Sequence, residues 1–131
     1  MTLTKSTRMA LAGVLLCGLM TLALALPHGS ANAQTLNRGC NISGQETKLG
    51  ASYVTSLSAK NTSCGTGKKV VKAFNKCRKK NGGANGHCKS KVKGFKCNEG
   101  KRNGVPGVQY SAKVKCKKGG KKVVFNYTQN T

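Results

Sequence analysis

The chain has 131 residues and a formal charge of +22 at pH 7, with 24 lysines and arginines against two acidic residues, Glu46 and Glu99. This length suffices for one small domain and excludes a two-domain enzyme or a protein with several membrane spans. Because the sequence has no aspartate and two glutamates, reactions that need paired carboxylates have almost no residues to carry them.

Residues 1–33 have the pattern of a bacterial secretory signal peptide. A positively charged start precedes an uncharged, mostly apolar run over 9–26, and Ala31-Asn32-Ala33 provides the small residues of a cleavage site. We therefore expect a secreted protein that begins at Gln34 and has no transmembrane segment in its mature form. The alternative is an uncleaved membrane anchor, because the apolar run is just long enough to span a bilayer.

Six cysteines remain after cleavage, and an even number in a small exported chain predicts three disulfides. The best single candidate pair is Cys77–Cys88, because a glycine-rich loop joins these two residues. The sequence has no Cys-x-x-Cys pair, and His87 is its only histidine after the signal, so we expect no metal and no cofactor. The six predicted disulfide cysteines are Cys40, Cys64, Cys77, Cys88, Cys97 and Cys116.

The first part of the mature chain is expected to hold an irregular arm and then a strand. Residues 34–50 are rich in Gly, Asn and Thr and are tied down by Cys40, whereas 51–131 are expected to form the disulfide-stabilised domain. At the start of that domain, apolar and small residues alternate with mostly polar ones, and a period of two predicts a strand. The alternating residues are Ala51, Tyr53, Thr55, Leu57 and Ala59.

An amphipathic helix is predicted over 64–80, with Ser63 as its N-cap and Asn81-Gly82-Gly83 as its end. At about 100° per residue, the residues fall onto two distinct sides. The less polar side carries Gly67, Val70, Val71, Phe74 and Cys77. The opposite side carries Lys68, Lys69, Lys72, Lys76, Lys79 and Lys80.

Three further strands are predicted after the helix. Residues 89–97 form the first, with Gly94 as a bulge that lets Phe95 and Cys97 share a face with Val92; a loop follows over 98–107. Alternation over 108–117 and 123–127, around Lys118-Gly119-Gly120-Lys121, predicts a hairpin with a Gly-Gly turn. The expected fold is α+β: one helix on one face of a small antiparallel sheet, in the order strand, helix, strand, strand, strand.

These features resemble a known type of domain. Ser63-Cys64 opens the helix, and the later strands read Val92-x-Gly94-Phe95-x-Cys97, Val114-x-Cys116 and Val123-x-Phe125. Over residues 51–128 the chain resembles a small secreted, cysteine-containing domain of unknown function that is common in actinobacterial sequences. The resemblance implies no established activity. This chain is lysine-rich where that family is arginine-rich, and it adds Cys77 and Cys88, which supports their pairing with each other.

The basic surface is the main functional signal. A small domain needs far less charge for solubility, so we expect a monomer that binds anionic polymers or surfaces without catalysis. Cell-wall polymers, polysaccharides, lipid headgroups and extracellular nucleic acid all qualify, and the affinity should fall with salt. The expected binding residues are Lys68, Lys69, Lys72, Lys76, Lys79, Lys80, Lys113, Lys115 and Lys117. The three strand lysines are expected on the sheet face away from the helix, together with Lys91 and Lys93.

Several alternatives to a binding domain stay open. A small secreted ribonuclease would use a glutamate as base, His87 as acid and an arginine or lysine on the phosphate, with Glu99 and Arg102 as candidates. An antimicrobial or toxin-like effector would act on anionic membranes through its charge. An interaction module would present the loop over 98–107 to a protein partner. In the last alternative, the lysines form a solvated face with no dedicated ligand.

Overall fold

A computed structural model describes residues 38–131 of the chain. The predicted signal peptide and its cleavage site lie outside these residues. Two short 3₁₀ helices accompany one α-helix and six strands. The strands are β1 (Arg38–Gly39), β2 (Tyr53–Lys60), β3 (Lys96–Glu99), β4 (Asn103–Val105), β5 (Gln109–Lys118) and β6 (Lys121–Asn130); the helix is α1 (Cys64–Lys80), and the 3₁₀ turns are Glu46–Leu49 and Gly83–Asn85.

All strands pair antiparallel in one sheet with the order β1-β2-β6-β5-β3, and β4 pairs with β5 beyond the end of β3. The predicted α+β class, one helix on an antiparallel sheet, is confirmed. The sheet has two more strands than predicted. One lies in the predicted arm, where Arg38–Gly39 pairs with β2, and the other in the predicted loop over 98–107, where Asn103–Val105 pairs with β5.

Helix α1 has the predicted bounds and the predicted cap. The Ser63 hydroxyl accepts a hydrogen bond from the Thr66 backbone N–H at 3.1 Å, which satisfies one of the free donors at the helix start. Val70, Val71 and Phe74 are fully buried against the sheet. The ring of Phe74 meets Phe125 of β6 edge to face at 5.6 Å between centroids, so the core lies between α1 and one face of the sheet.

The alternation predicted for β2 is interrupted by a bulge. The register against β6 shifts between Val54 and Ser56, so Thr55 is an extra residue on this strand. As a result Val54 and Leu57 both point into the core, whereas Tyr53 is 45% exposed. The strand is confirmed, but the unbroken alternation predicted through Tyr53, Thr55 and Leu57 is wrong, because a strict period of two does not survive an inserted residue.

The strand predicted over 89–97 begins only at Lys96 in the structure. Val92 and Phe95 pair with each other through backbone hydrogen bonds of 2.9 and 2.8 Å, and Lys93 and Gly94 form the two-residue turn between them. Both turn residues are left-handed, with φ of 52° and 78°. Gly94 therefore makes a turn and not a strand bulge. Val92 and Phe95 are nevertheless both buried, as the pattern predicted.

Three disulfides join the six cysteines. Cys40–Cys64 ties the arm to the start of α1, Cys77–Cys88 ties the end of α1 to the following loop, and Cys97–Cys116 joins β3 to β5. The candidate pair Cys77–Cys88 is confirmed. A small domain with all of its described cysteines paired is typical of an oxidising compartment. No helix within residues 38–131 is both long enough and apolar enough to cross a membrane.

Candidate functional site

A ridge of lysines runs along the solvent side of α1. Lys72, Lys76 and Lys80 follow one another at a spacing of four residues, and all three are exposed. Side chains at this spacing stand next to each other on a helix, and like charges there repel by a few tenths of a kcal/mol per pair. The helix keeps this unfavourable row while its opposite side packs in the core.

The ridge borders a groove of about 660 Å³. Its lining consists of Lys69, Lys72, Ala73, Lys76, Cys77, Lys80 and Lys93. Ala73 and the Cys77 side chain provide the apolar part of this lining. The methylene stems of the surrounding lysines can pack on it. A second depression of about 390 Å³ lies on the other flank of the ridge and is lined by Gly50, Lys72, Lys76, Lys79 and Lys80. Lys68 is half-buried and lines neither depression.

Lys93 reaches the groove because of its unusual backbone. A lysine in the left-handed region costs about 1–2 kcal/mol relative to ordinary backbone, and such residues persist only where the surroundings fix them. Here Val92 and Phe95 are buried on either side of the turn and hold it in place. The prediction that Lys93 lies on the far sheet face is wrong, because the chain turns at Lys93-Gly94 before the sheet begins.

A further cleft of about 230 Å³ continues the groove past the start of the helix. It shares Lys69 and Lys93 with the groove and adds two lysines that flank the β5–β6 turn, Lys118 and Lys121. The ammonium nitrogen of Lys118 lies 6.0 Å from the centre of the Phe95 ring. We call the combined feature the lysine channel; it comprises Lys69, Lys72, Lys76, Lys80, Lys93, Lys118 and Lys121.

No carboxylate neutralises these lysines. Within the described part of the chain, both ion pairs belong to Glu99, which contacts His87 and Arg102, and no lysine takes part in one. The channel is therefore shallow and open, and it brings together seven ammonium groups without an internal counter-charge. An anionic ligand would remove repulsion that the fold itself leaves in place.

The outer face of the sheet carries a second set of lysines. Lys113, Lys115 and Lys117 point outward from β5, as predicted, because the intervening residues are buried towards α1. The strand register adds a feature that was not predicted. Four lysines stand directly opposite one another across β2, β6, β5 and β3, in the pairs Lys60–Lys122, Lys122–Lys117 and Lys117–Lys96. We call Lys60, Lys122, Lys117 and Lys96 the sheet row.

The sheet row lowers the stability of the fold, since like charges directly opposite on neighbouring strands repel. Lys117→Gln removes two of the three pairs, so we expect it to raise the free energy of unfolding by about 0.5–1 kcal/mol at low salt. The gain should shrink as salt screens the charges. Urea denaturation of both proteins at low and high ionic strength measures it. A loss of stability at low salt would contradict the repulsion.

The residues considered for catalysis do come together, at the end of β3. Arg102 donates from Nε to Glu99 Oε1 at 2.7 Å and from Nη2 to Oε2 at 3.1 Å, and His87 Nδ1 lies 3.3 Å from Oε2. The Tyr127 hydroxyl donates to Oε1 at 2.5 Å. Arg102 also holds the carbonyl oxygens of Asn85 and Gly86, at 2.7 and 2.6 Å. This arrangement joins β3, β6 and the loop after α1.

The state of Glu99 is that of a structural anion. Burial on its own would raise the pKa of this carboxyl, but the hydrogen bonds from Arg102 and Tyr127 and the charges of Arg102 and His87 outweigh it, so the pKa lies below its usual value. A general base near neutral pH needs the opposite shift and a free oxygen. The Glu99 side chain is 8% exposed, whereas His87 is 61% exposed. The cluster therefore suits charge compensation better than proton transfer.

Arg78 is the main polar residue that sequence reasoning missed. It is fully buried, and its guanidinium donates to the Tyr110 hydroxyl at 2.6 Å, to Gln129 Oε1 at 2.5 Å and to the Ala84 carbonyl oxygen. It also lies 4.9 Å from the centre of the Tyr127 ring. A signal was present, because Arg78 follows Val71 by seven residues and so falls on the buried side of α1.

Among residues 38–131 there is no group of three or more His, Cys, Asp or Glu side chains that could hold a metal ion. Comparisons of the chain with protein-family models, with curated proteins and with solved structures gave no match. The resemblance to a small actinobacterial domain therefore stays a prediction from the sequence.

Proposed function

We propose that this is a secreted domain that binds linear polyanions in the lysine channel and performs no catalysis. The observation that supports this proposal best is the grouping of seven lysines around one shallow, open channel without a carboxylate. An even distribution of the lysines would instead favour the interpretation that the basic surface is only solvated and has no dedicated ligand. The channel also has an apolar part at the half-buried Ala73, against which a polymer backbone can lie.

The composition favours attraction by charge over recognition of sequence. After residue 33 the chain has 19 lysines and three arginines. Two of these arginines, Arg78 and Arg102, are engaged inside the protein. An ammonium group is a compact point charge and lacks the planar fork with which arginine reads bases and phosphates. The ligand class is therefore a flexible or stiff chain of regularly spaced anions.

Surface binding is favoured over insertion into a membrane. The apolar residues Val70, Val71 and Phe74 of α1 are fully buried, so the apolar face of this helix is not free to enter a bilayer. Both ends of α1 are also held by disulfides, through Cys64 and Cys77. The oxidised protein is expected to leave anionic vesicles intact in a dye-leakage assay, and leakage would instead support the toxin-like alternative.

The proposal is tested by binding labelled single-stranded DNA of about 20 nucleotides. If all seven channel lysines contact phosphates, the slope of log affinity against log salt should be about −5. The variant Lys69→Gln/Lys72→Gln/Lys76→Gln/Lys93→Gln should bind at least about tenfold more weakly and lose about 3 units of that slope. Fluorescence anisotropy over a salt series measures both.

A matched control separates the channel from net charge. The exposed residues Lys48, Lys89, Lys91 and Lys101 lie outside the channel and the sheet row, so replacing all four by glutamine removes the same charge. This control should keep most of the affinity. Equal weakening of both variants would contradict the proposal and leave only a solvated basic surface.

The absence of catalysis is tested separately by incubating the protein with single-stranded RNA. The RNA should stay intact, and cleavage that His87→Ala abolishes would support a ribonuclease instead.

A further inference from the structure

We propose that the sheet row is a second polyanion-binding surface and that it enables one molecule to bridge two polyanion chains. This inference rests on the proposed function of the lysine channel. The row consists of lysines at successive opposed positions on four neighbouring strands, Lys60, Lys122, Lys117 and Lys96. Neighbouring strands are about 4.8 Å apart, so the row extends about 14 Å across the sheet.

Charge complementarity identifies the occupant. The two acidic side chains of the mature chain are elsewhere, because Glu46 belongs to the first 3₁₀ turn and Glu99 is held by Arg102 and Tyr127. Lys113 and Lys115 extend the charge along β5 from the row. The face therefore carries a T-shaped set of ammonium groups without a counter-charge, which an anionic polymer lying across the strands would neutralise.

The row and the groove portion of the channel lie on opposite sides of the domain. On β5, Val114 and Cys116 are buried towards α1 while Lys115 and Lys117 are exposed on the other side. The groove borders the solvent side of α1, so the sheet and the helix both separate it from the row. A stiff chain does not bend spontaneously round so small a domain, since the persistence length of duplex DNA is about 150 base pairs. A duplex in the groove portion then cannot also lie across the row, so filling both takes two duplexes, one on each side.

The test uses two populations of duplex DNA of about 30 base pairs, one labelled with a donor dye and the other with an acceptor dye. Duplex is kept in excess, at one protein per two duplexes, so that simple charge neutralisation does not precipitate it. The wild-type protein, which should sediment as a monomer on its own, is expected to produce energy transfer between the two dyes. Salt that releases the protein should abolish the transfer.

The variant Lys60→Gln/Lys96→Gln/Lys117→Gln/Lys122→Gln should still bind one duplex, within about twofold of wild-type affinity, because the channel is intact. Its energy transfer should fall to background. The control with Lys48, Lys89, Lys91 and Lys101 replaced by glutamine should keep the transfer.

Three outcomes would overturn the inference. The first is that the wild type binds duplex without energy transfer, and the second is that the variant of the sheet row gives as much energy transfer as the wild type. The third is that the protein clusters anionic vesicles but does not pair duplexes. Binding of single-stranded DNA but not of duplex would also overturn the inference, whereas failure of the wild type to bind either would contradict the proposed function itself.

Discussion

Glu99→Gln is expected to lower the free energy of unfolding by about 2–4 kcal/mol. The carboxylate accepts hydrogen bonds from Arg102 and Tyr127 at 2.7 and 2.5 Å in a largely buried position. Glutamine keeps one acceptor but points its N–H donors at Arg102 Nη2, which is itself a donor. It also removes the negative charge next to Arg102.

The pH dependence of stability should identify the same interaction. The Glu99 pKa in the folded state is lowered, because hydrogen bonds and neighbouring charges outweigh the effect of burial. The unfolded chain has the ordinary value of about 4.3. The stabilisation is therefore present in full above that pH and is lost as the pH falls through the folded-state pKa. In Glu99→Gln this part of the acid dependence should be missing.

Urea denaturation at a series of values between about pH 2 and 7 measures both effects. The difference between the wild-type and Glu99→Gln curves isolates this carboxyl from Glu46 and the chain terminus. The two free energies should approach each other at low pH and separate as the pH rises. Parallel curves over the whole range would show that the Glu99 charge contributes nothing to stability.

The fold was predictable to the extent that local pattern determines it. The bounds of α1 follow from Ser63, from the apolar stripe and from the glycines after Asn81, and the structure reproduces them. The β5–β6 hairpin follows from two alternating runs around Gly119-Gly120. In both cases residues within a few positions of each other specify the geometry, and the core only reinforces it.

The predictions that were wrong concern features that depend on contacts between distant segments of the chain. The bulge at Thr55 arises in the pairing of β2 with β6, about 70 positions apart in the chain, which no local period reports. The turn at Lys93 needs a lysine in the left-handed region, which local propensity disfavours and which the burial of Val92 and Phe95 enforces. The β3 strand accordingly begins at Lys96.

For the same reason, the sequence predicted only some of the residues of the candidate site. The helix lysines were found from helical spacing, since that spacing alone places Lys72, Lys76 and Lys80 on one side. The enclosing residues Lys93, Lys118 and Lys121 were not, because their position depends on how a turn and a hairpin pack beside α1. The sheet row likewise needs the register of four strands. Composition led us to expect an anionic ligand, whereas the shape of the candidate site depends on tertiary structure.

Arg78→Met is expected to destabilise the protein by about 2–4 kcal/mol while leaving polyanion binding unchanged. The guanidinium is fully buried and supplies hydrogen bonds to Tyr110 and Gln129. Methionine fills similar space but leaves Gln129 Oε1 buried without a donor, and an unsatisfied buried acceptor costs about 1–3 kcal/mol. No carboxylate pairs directly with Arg78, so loss of the charge itself carries little of the effect.

Arg78→Lys keeps the charge and removes the planar fork, and therefore distinguishes the two contributions. A single ammonium group cannot replace two guanidinium nitrogens that point to Tyr110 and Gln129, so this variant should lose about as much stability as Arg78→Met. Thermal and urea denaturation measure the loss, and anisotropy with single-stranded DNA measures binding. A methionine variant as stable as the wild type would mean that the buried guanidinium could be replaced by apolar packing at no net cost. Weaker binding by a folded variant would mean that the Arg78 charge attracts the ligand although this side chain is completely buried.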